Sequence, residues 1–195
     1  KEEANAGEGS GEGCGSAAVP GAIIAMHPDL VKQAKSLPTG IPRGWNLSLL
    51  KGVFALAYGL AGTKGKKVQL DECSLYLHHP VPSDGAEKGK LPALLHFHGG
   101  GLIFGDARMD DFYVRSVVEE LGIIVASVQY RCAPKHPFPA PLDDAEKAFH
   151  WISQHPDVDQ SRIIVGGQSA GGHLAAALCQ RLRVQGAKVR PSFQT

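Results

Sequence analysis

Residues 163–174 read Ile163-Ile164-Val165-Gly166-Gly167-Gln168-Ser169-Ala170-Gly171-Gly172-His173-Leu174: an apolar run, a knot of small residues around one serine, then a helix start. A serine hydroxyl is a weak nucleophile at its free pKa, so it needs a base in reach and an exposed, fixed position. Gly167-Gln168-Ser169-Ala170-Gly171 answers the second need. In a G-x-S-x-G turn the glycines let neighbouring backbone pass closely, and the following helix aims its N-terminal N–H groups toward the serine. The pattern is cheap in a chain with 24 glycines, so context decides. Ser161 to Val165 precedes it, with a strand over Ile163 to Val165, and His173 to Cys179 follows with helix formers.

Outward from that turn, strands and helices alternate. Leu91 to His98 predicts a buried strand, Met109 to Leu121 a helix, Gly122 to Tyr130 an apolar strand, Leu142 to His155 a helix, Ile163 to Val165 a strand and Ala170 to Val184 a helix. Such alternation predicts the α/β class, a mostly parallel sheet covered by helices on both faces. Upstream, Lys67 to Asp71 and Cys73 to His78 alternate at period two, as half-buried strands do. Pro80 to Lys90 is polar and turn-rich, a surface loop. Residues 21–66 predict an N-terminal helical segment in two pieces, His27 to Ala34 and Asn46 to Tyr58, with Asn46 as N-cap and Pro38, Gly40, Pro42 and Gly44 between them. Residues 1–20, rich in Gly, Glu and Ser, predict a disordered tail. The organisation expected is 1–20 tail, 21–66 helical segment and 67–195 α/β core.

Composition narrows the function. Lys and Arg number 20 against 19 Asp and Glu, a net charge of +1, so no long-range field favours nucleic acid or an anionic membrane. The apolar run from Gly52 to Gly62 is too short to span a bilayer and fits a buried or surface-docked helix. Cys14, Cys73, Cys132 and Cys179 are widely spaced, which favours reduced thiols. Gly13-x-Gly15-x-x-Ala18 matches a dinucleotide fingerprint only nominally, with no strand before it and no periodic helix after it. His78 and His79 are adjacent on a strand, face opposite ways and make a poor metal pair. Asp143 and Asp144 stand at a helix start, where carboxylates serve the macrodipole and local ion pairs.

His98-Gly99-Gly100-Gly101 directly follows the Leu91 strand. Glycines at a strand end let backbone N–H groups turn toward a ligand, which is what stabilising a developing oxyanion requires. This loop and the serine turn both lie at carboxyl ends of strands, where open α/β folds place ligands.

Three motifs in order, H-G-G-G at 98–101, Y-R-x-A-P-x-H-P-F-P-A at 130–140 and G-x-S-A-G-G at 167–172, closely resemble the hormone-sensitive-lipase-like family of α/β-hydrolases, which includes arylesterases and plant carboxylesterases. The resemblance covers Lys67 to Thr195. It implies Ser169 as nucleophile and the N–H groups of Gly100, Gly101 and Ala170 as the oxyanion hole, supported by His98, Gly99, Gly167, Gln168 and Gly171. It also implies that residues before Lys67 form part of a cap over the acyl pocket. The reaction implied is hydrolysis of a small carboxylic ester through an acyl-enzyme, with no metal or organic cofactor. Plant gibberellin receptors resemble the same family and hold a ligand rather than cleave it, the alternative role.

Two departures stand out. The family's aspartate before the nucleophile is Gln168 in this chain. More consequentially, the family order is Ser, then Asp or Glu, then His. No Asp or Glu follows Ser169, and the only later histidine, His173, sits on the helix that the serine begins. A base must approach from a separate loop, oriented by a third group, so His173 reads as a surface or packing residue. Arg190 to Thr195 reads as the entry to a strand that does not arrive, and the expectation is a fragment of a longer product lacking the family's last strands. Were it a natural truncation, the Ile163 strand would be an exposed apolar edge.

Overall fold

The computed structural model describes residues 49, 52–53, 56–58, 62–81 and 89–195. Of the two units into which the chain divides, the described residues all lie in the second, Trp45–Thr195. The expected tail, the helix His27 to Ala34 and the Asn46 cap lie outside the described residues, as does most of the loop between Pro80 and Lys90. The sheet and its covering helices all belong to the second unit.

Leu49, Gly52, Val53 and Leu56 to Tyr58 are helical. Leu49, Val53 and Leu56 fall on one helical face by their spacing and are 68, 57 and 65% exposed. Of the buried or docked helix expected from Gly52 to Gly62, only part lies within the described residues, and there Val53 and Leu56 are exposed.

Six strands form one sheet in the order β1-β2-β4-β3-β5-β6. β1 (Lys66–Leu70) and β2 (Cys73–His78) make a tight antiparallel hairpin closed by the Leu70–Cys73 pair. Asp71 turns it at φ 47°, a left-handed conformation that Asp tolerates because its short polar side chain can bond locally. β2 also runs antiparallel to β4 (Ile124–Gln129), while β3 (Leu91–Phe97) lies parallel between β4 and β5 (Val158–Gly167). The sheet is mixed only through its N-terminal hairpin, and it is parallel where the alternating apolar segments predict.

The burial pattern follows from the crossovers. Helix α1 (Asp111–Leu121) covers one face, where Val114 and Val118 pack with Leu94, Ile123 and Val125. Helices α2 (Ala140–Ser153) and α3 (Ala170–Val184) cover the other, enclosing Leu95, Phe97, Ala126, Val128, Phe149, Ile152, Ile163, Val165, Leu174 and Leu178. Each such large side chain removed from water contributes on the order of 1.5–3 kcal/mol. With both faces covered, strands β3 to β5 can be apolar throughout.

The C-terminal residues differ from expectation. Phe193–Gln194 do form a strand, β6, parallel to β5 through Ile164–Phe193 and Val165–Gln194. Ser192 and Thr195 donate their N–H groups to the carbonyls of Ile163 and Val165 at 2.7 and 3.0 Å. The apolar edge at Ile163 is thus partly paired rather than bare.

Candidate active site

β3 is the switch point of the sheet: its neighbours β4 and β5 both run parallel to it, reached through helices on opposite faces. Loops leaving β3 and β5 therefore meet at their carboxyl ends, where such folds bind ligands. Phe97 ends β3 and its carbonyl accepts the N–H of Gln168 at 3.2 Å. That bond joins the strand carrying His98-Gly99-Gly100-Gly101 to the turn carrying Ser169.

Ser169 lies at φ 52° and ψ −114° and is exposed. A non-glycine residue held in that region costs about 1–3 kcal/mol, so surrounding structure must over-determine it. The pairing of β5 with β3 does so on one side. On the other, Gly171 donates to the Gln168 carbonyl at 2.8 Å and His173 to the Ser169 carbonyl at 3.2 Å, starting α3. Arg181 and Arg183 occupy the last turn of α3 and no acid occupies its first, so the helix presents an undiluted positive pole at Ser169.

Close approach explains Gly171. A Cβ there would collide with the Phe97 carbonyl oxygen and lie 2.7 Å from the carbonyl oxygen of His98. Gly171→Ala is therefore expected to destabilise the fold by about 1–3 kcal/mol through overpacking, because backbone rather than a flexible side chain must yield. Urea midpoints compare the two forms, and an unchanged midpoint would show that the turn and β3 can separate without cost.

The glycine loop is shaped from beneath. Gly100 has φ 116°, and a Cβ there would strike the Phe104 carbonyl. The Gly100 carbonyl accepts the N–H groups of Ile103 and Phe104, each at 3.1 Å. Among the described residues no protein acceptor takes the N–H of Gly100, Gly101 or Ala170, the last being at the start of a helix, where N–H groups have no intrahelical partner. A Cβ placed on Gly99 would be 3.8 Å from the Ser169 Cβ, so glycine loop and serine stand in contact. The structure thus brings together His98, Gly99, Gly167, Gln168, Ser169 and Gly171, with Gly100, Gly101 and Ala170 beside them.

Sequence reasoning missed what holds the loop. His98 is fully buried; its Nδ1–H donates to the Gly99 carbonyl at 2.7 Å and its ring stacks on Tyr130 at 4.1 Å. The Tyr130 hydroxyl donates to the His98 carbonyl at 2.7 Å. Arg131 forms a two-pronged pair with Asp144, which is 0% exposed, and also meets Glu72 at 2.6 Å. Tyr130 and Arg131 open the Y-R-x-A-P motif, which was the available signal. Asp143 stands in the first turn of α2, as expected, but its partner is Arg181 of α3 at 2.6 Å, an ion pair between helices rather than a local one. Asp144 is not at the service of the macrodipole; its carboxylate is turned inward onto Arg131. His173 is exposed on α3, as expected.

Burial pushes the His98 pKa below its ordinary 6.5, against the opposing hydrogen bond to Gly99 and the charges of Asp106 and Asp110. Below about pH 6.5 the unfolded chain binds a proton that the folded chain does not. His98 thus contributes its full stability above 6.5 and loses it as pH falls toward the depressed value, by up to about 1.4 kcal/mol per pH unit. Urea midpoints should fall from pH 7 to pH 5, and less steeply in His98→Gln. Asp106 acts lower: burial raises its pKa, but hydrogen bonds from Arg108 outweigh this and leave it lowered, so its share is lost only below the usual carboxylate range.

No group of three His, Cys, Asp or Glu side chains stands around Ser169 among the described residues; the group His79, His155 and Asp157 precedes β5, at the other end of the strand. No helix among the described residues is long and apolar enough to cross a membrane.

Residues 94–195 match the model of a family described as having the alpha/beta hydrolase fold. The chain is 41% identical over 108 residues to esterase LipI of Mycobacterium tuberculosis (54% of this chain, 34% of that protein). To ethyl acetate hydrolase of Pseudomonas putida it is 35% identical over 121 residues (60% and 37%). Among solved structures, bacterial heroin esterase superposes with a TM-score of 0.65 at 33% identity, over 85% of this chain and 55% of its own. The chain therefore spans about a third of the length of the curated relatives it matches.

Proposed function

We propose that this chain, which belongs to the α/β-hydrolase fold family and to its hormone-sensitive-lipase-like carboxylesterase type, carries the nucleophile and oxyanion-binding loop of a serine carboxylic-ester hydrolase. Ser169 Oγ attacks the acyl carbon and gives its proton to a base, while the carbonyl π electrons move onto oxygen. The N–H groups of Gly100, Gly101 and Ala170 bind that oxyanion. Collapse of the tetrahedral adduct breaks the bond to the alcohol, which leaves with the proton from the base. Water then attacks the acyl-serine by the same sequence, releasing the acid and restoring Ser169.

The reading rests on an exposed serine in a strained turn that lies against Gly99 of the glycine loop, with no protein acceptor for the N–H groups of Gly100, Gly101 and Ala170 among the described residues. Donors fixed before the charge develops need no reorganisation during reaction, and one is worth about 10²–10³ in turnover. The base and acid are assigned to residues outside this sequence, since nothing after Ser169 can supply them.

Substrate size is set by the cleft that touches Gly101. It holds about 200 Å³ and is lined by Leu102, Ile103, Phe138, Leu142 and Leu174, room for a short apolar acyl or alcohol group. A larger recess of about 430 Å³, at Gln69, Phe104, Arg131 and His136, touches none of Gly100, Gly101, Ser169 or Ala170 and is not assigned to substrate.

The test uses the natural polypeptide that carries these residues. A p-nitrophenyl phosphonate ester should leave one stoichiometric adduct on the peptide holding Ser169, and none in Ser169→Ala. An adduct on another residue, or a protein that binds short esters without turning them over, would overturn the assignment; the second result would favour the ligand-holding role.

A further inference from the structure

At the amino end of β5, opposite Ser169, three ligating side chains converge from two parts of the chain. His79 follows the last residue of β2, and His155 and Asp157 lie in the turn between α2 and β5. One ligand atom from each lies within 4.8 Å of the others. β2 runs antiparallel to β4, so its exit reaches the edge of the sheet where β4 and β5 begin. That placement unites histidines far apart in sequence. His78, the neighbour of His79, faces the other way and is buried near Asp111.

We propose that His79, His155 and Asp157 form a binding site for a divalent transition-metal ion of the zinc type.

The donor set supports this choice. Two imidazole nitrogens and a carboxylate oxygen suit zinc and its first-row neighbours, whereas calcium and magnesium prefer oxygen alone. Tetrahedral zinc bonds of about 2.0–2.1 Å set adjacent donors about 3.4 Å apart. His155 Nδ1 and Asp157 Oδ2 are already 3.9 Å apart, so a small side-chain rotation closes the geometry. His155 Nδ1 accepts the Asp157 N–H at a long 3.4 Å. That bond is weak, and a metal ion at Nδ1 would displace it.

The surroundings orient the ligands. The His155 ring lies 5.1 Å from the Trp151 ring and 5.7 Å from the His79 ring. The His155 carbonyl accepts the Val158 N–H at 3.1 Å and the Asp157 carbonyl accepts the Leu91 N–H at 2.8 Å, tying the turn to β5 and β3. His79 and Asp157 are exposed, leaving the fourth position to water. β5 is bulged and runs along only Leu91 to Phe97 of β3, roughly 20 Å at strand rise, so the ion would not touch the ester chemistry. It would bridge the exit of β2 to the entrance of β5.

The test is a Zn²⁺ titration of the untagged, metal-stripped 195-residue chain against a chromophoric indicator, with Co²⁺ absorption reporting nitrogen ligation. One ion per chain is expected, with a rise in melting temperature. His79→Ala and His155→Ala should each weaken binding at least about tenfold, the loss that even outer-shell changes cause. His150→Ala, an exposed histidine on α2, should leave it unchanged. Because His79 is exposed, its loss leaves packing intact and the result reads on ligation alone. Absence of one-to-one binding would overturn the proposal. So would binding that survives in both histidine variants, as thiolate capture at a cysteine would.

Discussion

Ser169→Ala is expected to lower kcat/KM for p-nitrophenyl butyrate by about 10⁶-fold in the natural polypeptide that carries these residues, the size found when a triad serine is removed from a working hydrolase. The activity left behind is the catalysis of bound substrate beside oxyanion donors, about 10³–10⁴ over water. Members of a catalytic triad act as a unit, so removing one costs nearly as much as removing all. The 195-residue chain has no Asp or Glu after Ser169, and its one later histidine, His173, lies on the helix that the serine begins, so it should turn over the ester only at that residual level. In it, Ser169→Ala should change the rate little. A large effect of the same substitution in the short chain would mean that a residue within it activates the serine, and the assignment of base and acid elsewhere would be wrong.

Asp144→Ala should lower the unfolding free energy by about 3–5 kcal/mol, the cost of stripping a partner from a buried ion pair. Asp144 Oδ2 accepts the Arg131 backbone N–H at 2.8 Å and Nε at 2.9 Å, and Oδ1 accepts Nη2 at 2.8 Å. With the carboxylate gone, only the exposed Glu72 remains to the guanidinium, and the Arg131 N–H is left without its acceptor. Replacing both partners, Asp144→Leu with Arg131→Met, should cost much less than the two single losses together, since no charge is then left buried. Denaturant unfolding of the four proteins measures this coupling. Tyr130 precedes Arg131 and holds the His98 carbonyl, so Asp144→Ala should also loosen the glycine loop and reduce ester turnover.

Much of the fold is legible in the sequence because burial leaves a strong imprint on it. β3 and β4 are apolar on both faces, and α2 and α3 alternate apolar and polar stripes; the order and direction of the elements come from these patterns. The serine turn is legible because its glycines answer a local steric need. Features that depend on partners distant in the chain are not legible. The first half of β5, Asp159 to Arg162, is largely exposed and carries no apolar signal, so the strand reads as three residues. β6 is two exposed residues held by backbone bonds, which any sequence could make. Asp144 resembles a helix-start carboxylate because its sequence neighbours fit that role, while Arg131 decides its orientation. His79 acquires His155 only through the course of β2 against β4.

The two halves of the candidate site ride on strands that are neighbours in the sheet but separated in the chain by α1, β4 and α2. Closing that span costs entropy before any contact between β3 and β5 offsets it. The hairpin and the helices can form from local contacts, but the turn at Ser169 keeps its strained dihedrals only while β5 is paired with β3. Reactivity at the serine is thus a property of the slowest, most non-local step of assembly. Any partial opening that frees β5 should extinguish it while most of the helical content survives.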